Sequence, residues 1–499
     1  MWRLFRRESR HRWTKTPRKL WNRCPVSSEP LFTPPCGPVT GWRDGNVLRA
    51  TGVPYATAGR FQPPVPAPDW TEPYAATSPA PACPQGPVPF LDDILGTRYG
   101  ELPGSEDCQN LSITMTADVD LSSQESARLP VMVWIHGGSY TTGSGDLAIF
   151  DPAVLAAENR VVVVSVTYRL GLFGFLATRS GRPANLGLLD QLEAFRWVQR
   201  NISAFGGDPR RVTAFGQSAG GDAIAHLMAT PEAPALFQRA IIQSAPLGIS
   251  RGRAKMNHAM GIAAEAVTEE TPAMEVVERE DHVAQVARKF GMLAAMPFGT
   301  QYGHAPLPEE AGIEDAWNRS APGIEILIGH TSEEARLFLP RSPYLSRLDG
   351  IPVAGPTALR AINWVVTETV YGRAARKFAR RHVLAGGRAH RYVLHWHAPG
   401  NVLGAAHTID LPLLFGNRNT WDGAGLVSGA GWEDVDAVGR ELRALWSRFA
   451  RGDSLGEKGG IPGALQYTSE RRPDQARRRP RLVETVVRIA STRMSWRWK

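Results

Sequence analysis

The sequence predicts an α/β fold, a mostly parallel central sheet with helices on both faces. Two continuous apolar, β-branched runs, at residues 129–135 and 160–166, read as strands buried on both sides. Stretches of helical apolar spacing alternate with further strand-like runs, the βαβ pattern that builds parallel sheets. A short strand at 212–215 leads through a tight Gly-x-Ser-x-Gly turn into a helix-forming stretch, which places a serine where ligands bind in such sheets.

In chain order, a Pro/Ser-rich entry at 25–38 precedes the first strands. Residues 190–201 carry Leu192, Phe195 and Val198 on one face and read as an amphipathic helix. Residues 219–229 form a helix whose first turn is built of small side chains. Residues 240–243, 324–328 and 392–396 are further strands, and 433–450 is a helix. Residues 254–310 mix charged helical stretches with Pro and Gly, and a lid or cap insertion would lie there. No internal repeat occurs. Residues 1–30 read as a basic N-terminal extension expected to be disordered, and 31–499 as one domain with a basic C-terminal helix or tail at 471–499.

The net charge of +9 resembles a nucleic-acid signature until it is mapped. Residues 1–23 hold nine Lys/Arg against Glu8, and residues 471–499 hold ten against Asp474 and Glu484. The remainder holds 38 basic and 45 acidic residues, so the body is acidic and nucleic acid is not an expected partner. Basic residues interleaved with Trp2, Trp13, Trp21, Trp496 and Trp498 also suit weak contact with an anionic membrane surface, against the plainer reading of solvated tails. The longest apolar run, 161–166, is far short of a bilayer span, and the N-terminus lacks the apolar core of a secretory signal. A cytoplasmic location follows as the expectation. Four cysteines without a Cys-x-x-Cys motif argue against a disulfide scaffold or a zinc ribbon, and no metal or cofactor is expected.

Gly-x-Ser-x-Gly occurs three times, around Ser218, Ser250 and Ser454. Only Ser218 follows a strand and opens a helix, where amides and dipole face a developing anion. Ser250 precedes an Arg-rich stretch, and Ser454 sits in a Gly-rich loop that also spells Arg451-Gly452-Asp453.

Ordered blocks surround Ser218: Gly37-Pro-Val-Thr-Gly41, Gly52-Val-Pro-Tyr-Ala56, Arg60-Phe61, Ser105-Glu-Asp-Cys108, Val133-Trp-Ile-His-Gly-Gly138, the run from Tyr168 to Phe175, Asn185-Leu-Gly-Leu-Leu-Asp-Gln191, and Phe205-Gly-Gly-Asp-Pro209. In these blocks and their order the chain resembles the type-B carboxylesterases of the α/β-hydrolase superfamily, the family of the cholinesterases. The likeness spans roughly residues 36–455. It implies the α/β-hydrolase fold, a serine esterase acting on a small-molecule ester, and a triad running Ser, acid, His along the chain. The acid would be Glu334, five residues after Gly329, with Glu333 a solvated neighbour. The base would be His407, in Gly404-Ala-Ala-His407, with His395 and His397 inside a strand. The oxyanion donors would be the amides of Gly138, Ser139 and Ala219, and His136 a structural part of that loop. Ser244 would support the acid. Arg60 with Glu106 and Arg169 with Asp190 would form structural ion pairs. Cys83 and Cys108 match the family's first loop disulfide, with a reduced pair equally open, while Cys24 and Cys36 have no family partner.

Cholinesterases bind a quaternary ammonium on a tryptophan that this chain lacks between Cys83 and Cys108. Gln217 also stands where they carry a glutamate. Both differences remove attraction for a cation, so neutral esters of short to medium acyl chain are the expected substrates. The rival readings are a membrane-surface lipase docked by its basic tails and a catalytically inert interaction protein.

Overall fold

A computed structural model describes residues 29–97, 100–119, 121, 128–338 and 354–471. Its centre is an eleven-stranded sheet. Numbered in chain order, the strands are β1 (Trp42–Asp44), β2 (Val47–Pro54), β3 (Asn110–Thr116), β4 (Leu129–Ile135), β5 (Val162–Val166), β6 (Gly207–Gln217), β7 (Arg239–Gln243), β8 (Glu325–Thr331), β9 (Arg388–Leu394), β10 (Lys458–Ile461) and β11 (Leu465–Ser469). They lie side by side in the order β10-β11-β9-β8-β7-β6-β4-β5-β3-β2-β1. The middle, β5 to β9, is parallel, and antiparallel strands flank it on both sides.

Alternation along the strands divides the core into two. Val131, Val133 and Ile135 face one cluster, while Met132 and Trp134 face the other. The helices include α1 (Leu186–Asn201), α2 (Ala219–Leu227), α3 (Ala254–Ala263), α4 (Ala273–Val286), α5 (Arg373–Leu384), α6 (Asp410–Phe415) and α7 (Trp432–Arg451). Helices α1 to α5 contribute to the first cluster, and α6 and α7 to the second. Trp134 packs against Phe150, Phe215 and Phe415, which locks α6 to the sheet centre.

The strand around Phe215 is longer than its apolar run because Gly207 also pairs with Leu129, across a register shift before Val212. Strand β9 is displaced toward the N-terminus from the expected 392–396. Its pairing with Thr331 and Leu465 ends at Leu394, so His395 and His397 lie beyond the strand and are exposed, a correction to their expected place. The 254–310 segment folds as α3, α4 and a kinked turn over the first core face. The expected ion pairs form: Arg60 with Glu106, and Arg169 with Asp190 through two bonds of 2.7 and 2.8 Å. Cys83 and Cys108 are buried next to each other with no disulfide drawn between them, and Cys36 is buried and free as well. Among the described residues no helix is long and apolar enough to cross a membrane. The basic stretch 1–23, Cys24 and residues 472–499 lie outside the described residues.

Candidate active site

Strand β6 runs into α2 through Ser218, whose φ of 58° and ψ of −123° are an unusual conformation for a residue with a side chain. The two motif glycines make this turn sterically feasible. A Cβ at Gly220 would overlap the carbonyl oxygen of Ile135, and one at Gly216 would press on Ile135 and Gly220. The turn is pinned by the Ser218 N–H donating to the Gln243 carbonyl at 2.9 Å. The serine hydroxyl is thereby lifted over the end of the parallel strands.

Two more strand-end loops converge there. Glu334 lies three residues past β8, and His407 in the connection between β9 and α6. His407 Nε2 is 2.8 Å from Ser218 Oγ, and His407 Nδ1 is 2.5 Å from Glu334 Oε2. The other carboxylate oxygen accepts the Thr331 N–H at 2.8 Å. Glu334 is fully buried, which by itself would raise its pKa. His407, His330 and Ser244 more than offset that burial and hold the carboxyl below its ordinary value. The Ser244 hydroxyl faces Glu334, but too loosely to count as a formed hydrogen bond. With Nδ1–H donated to a carboxylate, Nε2 is the acceptor, and the arrangement can take a proton from the serine hydroxyl.

The His407 loop is held from several sides. Gln243, at the end of β7, donates to Asp410 at 2.6 Å and accepts from Trp446 of α7 at 3.2 Å. Burial pushes the Asp410 carboxyl up to about 6. Glu333 is not a solvated bystander as expected. It pairs with Arg336 at 3.1 Å and accepts the Ala405 N–H at 3.1 Å, tying the acid's loop to the histidine's.

The loop after β4 passes beside the serine, with a Cβ at Gly137 reaching 3.1 Å from Ser218 Cβ. Gly138, Ser139 and Tyr140 all have positive φ, of 110°, 55° and 63°. Gly138 must be glycine, because a Cβ would overlap the Thr142 carbonyl. Ser139 lines the same cavity as Ser218, and Ala219 follows the serine directly at the start of α2. His136 is fully buried, stacks on Tyr168 with ring centroids 4.4 Å apart, and is driven down to about 4 by burial, so it stays neutral and structural.

Gln217 makes a contact the motif did not announce: its Nε2 lies 3.2 Å from His407 Nε2, beside the serine oxygen. Over Ser218 opens an apolar cavity of about 170 Å³, walled by Ile249, Met292, Met296, Phe338 and Tyr371, among others. Phe338 and Tyr371 flank the His407 ring at 5.5 and 5.4 Å. These wall residues carry no motif and come from distant segments, so nothing in the sequence marked them.

The alternative serines are elsewhere. Ser250 is buried and donates to the Asp222 carboxylate. Ser454 is exposed in the loop after α7, where Arg451 and Asp453 of its Arg-Gly-Asp string pair with each other at 3.4 Å.

Residues 28–348 match the model of the carboxylesterase family. The chain is 37% identical to a probable N-octanoylanthranilate hydrolase of Rhodococcus erythropolis, covering 84% of this chain and 92% of that one. It is 34% identical to the para-nitrobenzyl esterase of Bacillus subtilis, over 84% and 89% of the two chains. A solved thermophilic para-nitrobenzyl esterase superposes with a TM-score of 0.71 at 32% identity, covering 86% of this chain and 93% of that one.

Proposed function

This chain belongs to the carboxylesterase family and is a carboxylic ester hydrolase with the α/β-hydrolase fold, and we propose that it cleaves neutral esters of short to medium acyl chain through Ser218, His407 and Glu334. The observation that carries the proposal is the unbroken relay from Ser218 Oγ through His407 to Glu334, at 2.8 and 2.5 Å, under an apolar cavity.

An unassisted serine hydroxyl is a poor nucleophile at neutral pH, so attack on the ester carbonyl requires its proton to pass to His407 Nε2 as the carbon–oxygen bond forms. Glu334 keeps Nδ1 protonated and stabilises the imidazolium without taking the proton. The tetrahedral oxyanion is stabilised by the amides of Gly138, Ser139 and Ala219, each worth about 10²–10³ in rate. His407 then protonates the departing alcohol, leaving an acyl-serine. Water, deprotonated by the same nitrogen, attacks the acyl group in turn and releases the acid.

The cavity wall favours uncharged acyl or alcohol groups: Ile249, Met292, Met296 and Phe338 offer dispersion and no counter-charge. Gln217 brings an amide, not a carboxylate, to the same spot, which supports neutral over choline esters. A panel of p-nitrophenyl esters from acetate to decanoate, with acetylthiocholine beside an uncharged thioester of equal acyl length, tests the reading. Turnover should peak at short to medium chains, prefer the uncharged thioester, and vanish in Ser218→Ala. Retained turnover in that variant, or preference for the choline ester, would refute it.

A further inference from the structure

Tyr140 and Asp222 join the two parts from which the oxyanion site is built. Gly138 and Ser139 belong to the loop after β4 and Ala219 opens α2, so their amides converge only if loop and helix keep a fixed spacing. The loop is strained. Ser139 and Tyr140 hold φ of 55° and 63°, a left-handed conformation that residues with side chains keep only where their surroundings impose it. Downstream the loop is fixed by Gln85, whose Oε1 accepts from the Thr142 hydroxyl at 2.6 Å and from the Gly143 N–H at 2.7 Å. The strained pair itself is fixed through Tyr140.

Tyr140 is fully buried, with its ring centroid 4.5 Å from that of Phe175 and its carbonyl accepting the Gly171 N–H at 2.6 Å. Its hydroxyl donates to Asp222 Oδ2 at 2.7 Å. Asp222 lies one helical turn past the nucleophile, its own N–H donating to the Ser218 carbonyl at 2.9 Å. The bond therefore runs from the oxyanion loop directly onto the helix that Ser218 opens. A carboxylate as deeply buried as Asp222 is costly unless donors surround it. Ser250 donates to Oδ1, and His226 Nδ1 lies 3.4 Å from Oδ2. Burial would raise the Asp222 pKa, and His226, Ser250 and Tyr140 more than offset it, which keeps the acceptor ionised. A hydrogen bond to an ionised acceptor is stronger than a neutral one, which suits it to holding strained backbone.

We propose that Asp222 is a positioning residue for ester hydrolysis: through the Tyr140 hydroxyl it holds the Gly138 and Ser139 amides at the spacing from Ala219 that the oxyanion requires. It touches no reacting atom. The inference rests on the oxyanion assignment made above. Without the bond, Ser139 and Tyr140 relax toward ordinary backbone, and the amides drift from the place where charge develops. Ile249, Met292, Met296 and Phe338 still wall the cavity, so the loss falls on kcat and not on KM.

Tyr140→Phe removes one oxygen and leaves the ring in place. On a p-nitrophenyl ester its kcat should fall about tenfold, short of the about 10²–10³ that a lost donor costs, with KM nearly unchanged. A role in folding alone would not separate two ligands of one shape, so affinity is also measured for hexyl trifluoromethyl ketone and for the alcohol obtained by reducing it. Ser218 adds to the ketone carbon, its proton passes to His407 and the carbonyl oxygen becomes the oxyanion, whereas the alcohol only fills the cavity. Ketone affinity should fall about tenfold in Tyr140→Phe and in Asp222→Leu, with alcohol affinity unchanged. Unchanged kcat or ketone affinity in Tyr140→Phe, or equal losses for ketone and alcohol, would overturn the proposal even if Asp222→Leu failed to fold. A wild type that binds the ketone no better than the alcohol would overturn the oxyanion assignment beneath it.

Discussion

Replacing Glu280 by Gln should stabilise the protein in a pH-dependent way. Glu280 projects from α4 onto the helical turn Gly171–Gly174, where Oε1 accepts the Leu172 N–H at 2.7 Å. Gly171, with φ of 49°, makes room for it, since a Cβ there would overlap the carboxyl group. Among the described residues no cation pairs with it. Burial, with a smaller push from Asp281, raises the carboxyl pKa from 4.5 to about 8, against the opposing hydrogen bond from Leu172. A raised folded-state pKa means that stability is intact below 4.5 and is lost as pH rises toward 8, because the unfolded chain releases a proton the folded chain retains. At 1.36 kcal/mol per pH unit, that interval sets a ceiling of about 5 kcal/mol. Gln keeps the acceptor and cannot ionise. With unfolding entropy near 2.1 cal/mol/K per residue, a chain of 499 residues gains about 1 °C in Tm per kcal/mol. Scanning calorimetry should therefore find Glu280→Gln about 1 °C above wild type at pH 5.5 and about 5 °C above it at pH 9. A difference independent of pH, or a less stable variant at pH 9, would refute the reading of Glu280 as a neutral buried acid.

Further outcomes follow from the site and its supports. Glu334→Gln should leave KM nearly unchanged and lower kcat by about 10³–10⁴, since the amide can no longer hold the Nδ1–H tautomer and stabilise the imidazolium. Steady-state kinetics on a p-nitrophenyl ester measures it. Gln217→Glu sets a carboxylate 3.2 Å from His407 Nε2. It favours the imidazolium, so the acid limb of the kcat/KM profile should move to higher pH, and choline-ester turnover should rise relative to neutral esters. Arg169→Met strands the fully buried Asp190 and should cost about 3–5 kcal/mol in urea unfolding, much of which the double variant Arg169→Met, Asp190→Leu should restore.

Much of the catalytic centre was legible in the chain itself. The elbow at Ser218 has a local cause, two glycines whose missing Cβ atoms let a strand turn sharply into a helix, and local causes can be read from local residues. Glu334 and His407 were reached through the family likeness, and the structure brings both to Ser218. Strands β4 and β5 were visible because burial on both faces demands unbroken apolar runs. The edges were less visible: β9 stops where its partners stop, which no property of His395 or His397 signals. Glu333 looked solvated because one of its partners, the Ala405 amide, is a main-chain group 72 positions away. Glu280 sits in a run of charged residues that reads as a solvent face, and its burial depends on the gap left by Gly171, 109 positions away.

The sequence by itself determined the element types and the strained serine turn, because hydrophobic period and backbone sterics act over a few residues. Only the tertiary structure decided which groups meet. Ser218 and His407 are 189 positions apart, His407 and Glu334 are 73, and their approach depends on β6, β7, β8 and β9 lying side by side in that order. The apolar wall above Ser218 and the amide beside His407 arise the same way. Each results from non-local packing, in which a side chain's surroundings are supplied by segments it has no sequence relation to.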